Sequence, residues 1–403
     1  MEIAVLKFGG TSLSTFEKIK NISKIITQRL KKINKVIVVV SAMGNNTNKL
    51  IEKFLIYNND HFNAEFDTVI SSGEQVSSGL VAAYLNKRKI KARSVLGWQI
   101  PIETNQQYGK SKIKKIHNNN LISMLREYDV LVIGGFQGLN KFNRISTLGR
   151  GGSDTSAVAI AASIKAPVCE IFTDVEGVYT SDPRVVSNAK KINTISYEEI
   201  LEMSSLGSKV LHPRSVELAM KYDIKIHVRS SFIKKKGTLV VKESKDLEKE
   251  LVTGISSSDE DAKITLIGIP DKPGIAYKIF SSLAAKNLNI DMIVQNITDD
   301  GKLTSLTFTI NKNEVNVAEK ALKGSRINFN AMHIDKKICK ISVVGLGMKS
   351  HIGVAKKMFE TLAKNKINIQ VISTSEIKIS VLILKSKKNI ALKELHKAYR
   401  LDK

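Results

Sequence analysis

"VLKFGGTS", residues 5–12, begins as an apolar run, meets a lysine and stops on two glycines. A strand broken this early delivers its end to something other than another strand. The next stretch, "STFEKIKNISKIITQRL" (14–30), carries apolar residues at the 3-4 spacing of a helix. Glycines between a strand and a helix N-terminus let bare backbone N–H groups approach an anion, and Lys7 adds a full charge. The pattern is neither a Walker A loop nor a GxGxxG fingerprint. Taken alone, a tight turn with a solvated lysine explains it equally well.

Working outward, β-branched runs alternate with amphipathic helical stretches: "KVIVVVSAM" (35–43), "DTVISSG" (67–73), "DVLVIGGFQG" (129–138) and "VCEIFTDV" (168–175). This alternation predicts an α/β fold, a three-layer sandwich with a mostly parallel central sheet. Ligands of such folds lie outside the carboxyl ends of the strands, where Ser41-Ala42-Met43-Gly44, Ser71-Ser72-Gly73 and Gly134-Gly135 follow the runs. The pattern breaks into charge and serine over 234–262, which places a domain boundary there.

Beyond it the chain repeats. "ITLIGIPDKPGIAYKIFSSLAAKNLNIDMIVQN" (264–296) aligns with "ISVVGLGMKSHIGVAKKMFETLAKNKINIQVISTS" (341–375): Gly274 matches Gly353, Phe280 matches Phe359 and Asn289 matches Asn368, 79 residues on each time. Each copy reads strand, glycine turn, helix, strand, strand, helix, and the pair describes two small βαββαβ units. Neither holds a titratable cluster fit for catalysis, so a dimerisation module and a ligand sensor both remain open.

The length, 403 residues with 42% apolar content, suits two or three domains. No run of eighteen apolar residues exists, and Lys7, Glu17, Lys18 and Lys20 interrupt any signal h-region, so a soluble, cytoplasmic chain is expected. Cys169 and Cys339 lack metal spacing and read as buried thiols. The net charge of +25 is spread over many segments, without aromatic interleaving or a reader motif. Neither nucleic acid nor membrane is an expected partner; the basic field suits anionic small substrates.

Three more stretches bear chemistry. "TLGRGGSDTSAVAIAASI" (147–164) sets Gly149, Arg150, Gly151, Gly152, Ser153 and Asp154 before a small-residue helix, a second anion cradle in which Arg150 can grip a carboxylate bidentately. Asp154 serves either as an N-cap or, as the surrounding glycine favours, to orient a catalytic cation. "FTDVEGVYTSDPR" (172–184) supplies Thr173, Asp174, Tyr179, Asp182 and Arg184 for an adenine and ribose, or is a surface turn. "SSLGSKVLHPRSVELA" (204–219) offers Lys209 to a phosphate, while His212 before Pro213 reads as structural. Glu74, expected at a strand-to-helix junction, either caps the helix or receives a substrate ammonium.

Taken together, Lys7 to Ser12, Ser41 to Gly44, Gly73-Glu74, Gly149 to Asp154, Thr173-Asp174 through Asp182-Pro183-Arg184 and "GSKVLHPRSVE" closely resemble the aspartate kinases of the amino-acid kinase family, in order along essentially the whole chain. The C-terminal repeats resemble the tandem ACT domains of their monofunctional, amino-acid-inhibited members. The resemblance implies transfer of the γ-phosphoryl group of ATP, with Mg2+, to the side-chain carboxylate of L-aspartate, giving 4-phospho-L-aspartate, the first step towards lysine, threonine and methionine. It implies an amino-acid kinase catalytic domain over 1–245, a linker and exchanged strand over 246–262, and ACT domains over 263–335 and 336–403. By resemblance, Lys7, Arg150, Asp154 and Lys209 are catalytic. Ser41, Thr47, Glu74, Arg150 and Ser153 hold aspartate. Lys7, Phe8, Gly9, Gly10, Thr173, Asp174, Tyr179, Asp182, Arg184, Lys209 and Val210 hold the nucleotide, and no resident metal site is implied. Effector positions are Asp271, Pro273, Gly274, Ile275, Ala276, Asn289, Asp291 and Gln295 in the first repeat. In the second they are Gly353, Val354, Asn368, Ile369, Ser375 and Glu376. Feedback inhibition by lysine, threonine or both, in a homodimer or higher oligomer joined through the ACT domains, is the implied regulation. A glutamate or acetylglutamate kinase is the nearest rival, and a catalytically inactive amino-acid sensor the rival from another class.

Overall fold

A computed structural model describes residues 2–60, 62–205, 210–242, 251–297, 302–325, 327–350 and 353–402. The chain forms two compact units, Met1–Tyr179 with Lys191–Leu247, and Thr180–Lys190 with Glu248–Lys403. Residues 180–190, inside the span expected to be catalytic, thus belong to the second unit.

The first unit is built on an eight-stranded sheet. Its order is Thr194–Ser196, Thr238–Val241, Lys225–Ser230, Val168–Thr173, Ile3–Phe8, Lys35–Val40, Val130–Gly134, Ala92–Val95. The six strands from Lys225–Ser230 onward run parallel; Thr238–Val241 is antiparallel to its neighbour Lys225–Ser230. Strands buried on both faces need continuous apolar runs, and "VIVVV" (36–40) is one. Ala4, Leu6, Phe8, Val36, Val38, Val40, Val130 and Val132 pack with Ile19, Ile22, Ile26, Val81, Ala82 and Leu85 of helices Phe16–Leu30 and Ala64–Lys87. Alternate residues turn to the other face, where helix Gly152–Ser163 packs on strands Ile3–Phe8 and Val168–Thr173. That helix is buried from Gly152 to Ala161, and its Gly, Ser and Ala side chains are what permit so close an approach.

One expected strand is absent. Residues 67–73 lie within the 24-residue helix Ala64–Lys87, so Glu74 sits mid-helix and not at a strand-to-helix junction. Thr68-Val69-Ile70 is the whole β-branched signal there. The buried positions Phe66, Ile70, Gly73, Ser77, Val81 and Leu85 recur at helical spacing, and Asn63 caps the first turn by accepting the Phe66 N–H. Gly73 is tolerated in the helix because a Cβ there would lie 2.7 Å from the Ala42 Cβ. A smaller sheet, Ile113–Ile116, Ile102–Thr104, Gln137–Leu139, Ile145–Thr147, completes the unit's strands.

The second unit contains both repeats. In the first, strands Ile290–Ile297, Leu303–Asn311, Asp261–Pro270 and Ala331–Asp335 form one sheet, backed by helices Ile275–Ala284 and Val315–Lys323. In the second, Ile338–Val344, Val371–Thr374 and Lys378–Leu384 follow the same plan, with helices Val354–Lys364 and Lys388–Ala398. Its fourth strand is not at the end of its own repeat: Gly254–Ser258, ahead of both repeats, pairs antiparallel with Ile338–Val344, where Ala331–Asp335 pairs with Asp261–Pro270 in the first. "GISSS" carries too few apolar residues to signal a strand by itself. Val186 from the 180–190 segment is part of this second core. Gly274 and Gly353 hold left-handed conformations at φ 86° and 112° and start their helices, as their matched positions in the repeat require. Cys169 and Cys339 are free and buried, and burial pushes both thiols up.

Candidate active site

The parallel register aligns the carboxyl ends of the central strands: Phe8 lies beside Val40 and Phe172, and Val40 beside Gly134. The loops leaving these strands interlock. Ser41 N–H donates to Phe8 O (3.2 Å), Gly135 N–H to Val40 O (3.0 Å) and Gly44 N–H to Gly10 O (2.9 Å). Gly10 must be glycine, since a Cβ would sit 2.5 Å from the Ala42 carbonyl oxygen. Gly9 N–H is spent on Phe172 O at 3.2 Å. It extends the sheet and is not available to a phosphate, contrary to the expectation that both glycines cradle one. The loop enters a short 3-10 turn, Gly10–Ser12, before the α-helix begins at Phe16.

Lys7 points from the central strand to the face carrying helix Gly152–Ser163, where its Nζ lies 2.6 Å from Asp154 Oδ1. Both side chains are nearly buried, 11% and 12% exposed. Two charges removed from water persist there only as a pair. Asp154 does not cap the helix: Gly151 occupies the N-cap, with φ 67°. Its carboxylate therefore orients the Lys7 ammonium, which keeps further N–H donors for an anion. Ser153 is buried under Gly135, where a Cβ on the glycine would come within 2.9 Å of the serine. Gly151 is pressed against His212, whose imidazole burial holds below its usual range and hence neutral at pH 7. Arg150 stands exposed between the left-handed Gly149 and Gly151, with no ion-pair partner among the described residues.

Glu74 is 3% exposed. Its Oε1 accepts the Ala42 N–H at 3.0 Å, and its buried Oε2 has no partner among the described residues. Burial pushes the carboxyl up to about 7, only partly opposed by the Ala42 bond. An unpaired buried carboxylate oxygen is costly unless a cation is to meet it. Ser41 and Thr47 flank the same turn, both half-buried.

Thr173 ends its strand at this edge and donates to Asp174 (3.1 Å). Tyr179 donates to Glu176 (3.1 Å), and Glu176 pairs with Lys235 (2.9 Å). Burial, then Glu176, raises the Tyr179 hydroxyl. Phe8 stacks on Phe172 with ring centroids 4.8 Å apart. Val210 is half-buried shortly before helix Pro213–Tyr222. Lys209 lies outside the described residues. Asp182 and Arg184 fall in the second unit, where Arg184 pairs with Asp182 at 2.8 Å. Among the effector positions, Gly274 and Gly353 begin helices, and Asp291 and Gln295 lie on Ile290–Ile297. Asp291 is already bound to Lys340, whose Nζ also lies 3.2 Å from Asp261.

Asp67 and Arg214, which the sequence did not single out, bond the base of the Arg150 loop: Asp67 accepts from Thr147 and Gly109, and Arg214 donates to Leu148 O and Ser111 O. Asp67 would have emerged had 67–73 been read as helix, since it lies seven residues before Glu74, on the same face. Among the described residues no group of three or more His, Cys, Asp or Glu side chains could hold a metal, and no helix is long and apolar enough to cross a membrane.

Comparison with known proteins defines the class first. The amino acid kinase family matches residues 2–230, and an ACT domain matches residues 264–325 and 341–399. An aspartate kinase of Pseudomonas fluorescens (strain SBW25) is 44% identical over 407 residues, covering 100% of this chain and 98% of that protein. E. coli aspartokinase III in complex with aspartate and ADP, in its R-state, matches with a TM-score of 0.84 at 25% identity, over 98% of this chain and 99% of that one. The E. coli enzyme in complex with lysine and aspartate, in its T-state, matches with a TM-score of 0.76 at 25% identity, over 98% and 99%. The chain belongs to the aspartate kinase family.

Proposed function

We propose that this enzyme transfers the γ-phosphoryl group of ATP to the side-chain carboxylate of L-aspartate, giving 4-phospho-L-aspartate, in the cytoplasm. The observation that carries the reading is the Lys7–Asp154 pair, buried at the carboxyl edge of a parallel sheet beside glycine loops. A carboxylate nucleophile is already ionised at neutral pH and needs no general base. The barrier is repulsion between two anions, which positioning and fixed cations lower. Lys7 neutralises the transferring phosphoryl oxygens, and Lys209 is assigned the same task. Arg150 grips a carboxylate of aspartate, Glu74 Oε2 receives its ammonium, and Ser41, Thr47 and Ser153 complete the pocket. Phe8, Gly10, Thr173, Asp174, Tyr179 and Val210 hold the nucleotide. The donor set suits Mg2+ carried on the phosphates with its own waters and not in a protein cage, since Asp154 is committed to Lys7.

Lysine or threonine is proposed to bind the repeats at the positions named above and to favour a poorly active arrangement. The lysine complex of the E. coli relative supports this. The repeats also leave Ile293 and Ile297 (53% and 61% exposed) on a sheet-edge strand, a surface suited to pairing with a second copy. The test is hydroxylamine trapping of the acyl phosphate with ATP and L-aspartate, L-glutamate or N-acetyl-L-glutamate, with and without millimolar lysine and threonine. A hydroxamate formed only from aspartate supports the substrate. Trapping from glutamate instead refutes it, and indifference to both effectors refutes the regulation.

A further inference from the structure

We propose that Asp67 is a positioning residue that fixes the Arg150 loop relative to Glu74. The inference rests on the reading of Arg150 and Glu74 as the two grips on aspartate.

Asp67 is fully buried and has no ion-pair partner among the described residues. Its carboxylate is held by three donors instead. Thr147 N–H reaches Oδ2 at 2.7 Å, Thr147 Oγ1 reaches Oδ1 at 2.6 Å, and Gly109 N–H lies 3.0 Å from both oxygens. Burial raises the carboxyl in spite of these bonds. A charge kept here without a counter-ion is an expensive way to tie three segments that apolar contacts could have tied more cheaply.

What it ties is the base of the glycine loop. Thr147 is three residues before Arg150, and Thr147 O accepts the Ser111 N–H at 2.8 Å. Gly149 passes so close to Gly109 that a Cβ would stand 3.0 Å from its carbonyl oxygen. Arg214 completes the clamp: its guanidinium donates to Leu148 O and, at 2.8 Å, to Ser111 O. The carboxylate that holds this base and the carboxylate assigned to the substrate ammonium lie on one helix, Ala64–Lys87, seven residues or two turns apart. That helix acts as a rigid spacer of about 10 Å between the two anchor points. A rigid spacer matters because a loop displaced by about 1 Å can cost two orders of magnitude in a reaction governed by orientation.

The experiment measures steady-state constants for both substrates, and melting temperature, in Asp67→Asn, Thr147→Val, Arg150→Lys and the Asp67→Asn/Arg150→Lys double variant. Asp67→Asn is expected to raise the aspartate KM by about ten- to a hundredfold, with the ATP KM within about twofold. The double variant should then be no worse for aspartate than Arg150→Lys alone, because both act through one contact. Thr147→Val, which removes a single bond and leaves the carboxylate in place, should raise the aspartate KM severalfold, and it decides the question if Asp67→Asn fails to fold. An aspartate KM raised by Arg150→Lys but untouched by Asp67→Asn, or by Thr147→Val in that case, overturns the inference. An aspartate KM untouched by Arg150→Lys overturns the reading of Arg150 itself.

Discussion

Replacing Glu74 with glutamine should stabilise the protein while it damages substrate binding. The Glu74 carboxyl rises from 4.5 to about 7 because burial strips its water. With 1.36 kcal/mol per pH unit, keeping it ionised in the folded chain costs about 3 kcal/mol. Between these two values the folded protein holds a proton that the unfolded chain has lost, so stability falls as pH rises through this window. Glutamine keeps the acceptor for the Ala42 N–H and places an uncharged amide where Oε2 is unpartnered. The stability difference in favour of Glu74→Gln should therefore be small near pH 4.5 and approach about 3 kcal/mol above pH 7. Urea unfolding of both proteins at a series of pH values measures it, since every other titrating group is common to both. Loss of a charged hydrogen bond should raise the aspartate KM by about ten- to a hundredfold. A stability difference independent of pH, or a variant less stable at pH 8, refutes the argument.

In the wild type, protonation of Glu74 as the pH falls through about 7 should raise the aspartate KM while the ATP KM changes less, a contrast steady-state profiles reveal. Gly73→Ala places a Cβ 2.7 Å from that of Ala42 and should cost about 1–3 kcal/mol in urea unfolding. Lys340→Met releases the Asp291 carboxylate from an internal ammonium. It should lower the lysine or threonine concentration needed for half-inhibition, and an unchanged dose response would separate Asp291 from the effector amine. Cys169 and Cys339 should resist thiol reagents until the chain is unfolded, since both are buried and their thiols raised.

Much of this was legible in the residues. The runs at 36–40 and 130–134 are apolar throughout, and only a strand covered on both faces requires that. The repeat displayed itself through Gly274 and Gly353, whose left-handed conformations few other residues accept. Residues 67–73 misled because the β-branched run Thr68 to Ile70 in a short window resembles a strand, while the deciding helical periodicity spans 24 residues. The residues Gly254–Ser258 carry no strand signal of their own, since the partner strand Ile338–Val344 lies far along the chain, and only the family resemblance implied an exchanged strand within 246–262. At the site, Lys7, Glu74, Arg150 and Asp154 were nameable from spacing near glycines. The Lys7–Asp154 contact was not, because it depends on which face of the sheet a strand residue meets. Gly9 and Gly10 look equivalent in sequence, and only the sheet register assigns the Gly9 N–H to Phe172.

The proposed transfer requires Lys7 to act on the phosphoryl group in flight and not merely to hold the fold or the ground-state nucleotide. Single-turnover phosphoryl transfer with saturating ATP and L-aspartate, compared between wild type and Lys7→Met, measures this directly. The prediction is a rate lower by about a hundred- to a thousandfold, with ADP affinity changed far less. A folded Lys7→Met protein that transfers the phosphoryl group at close to the wild-type rate would contradict it.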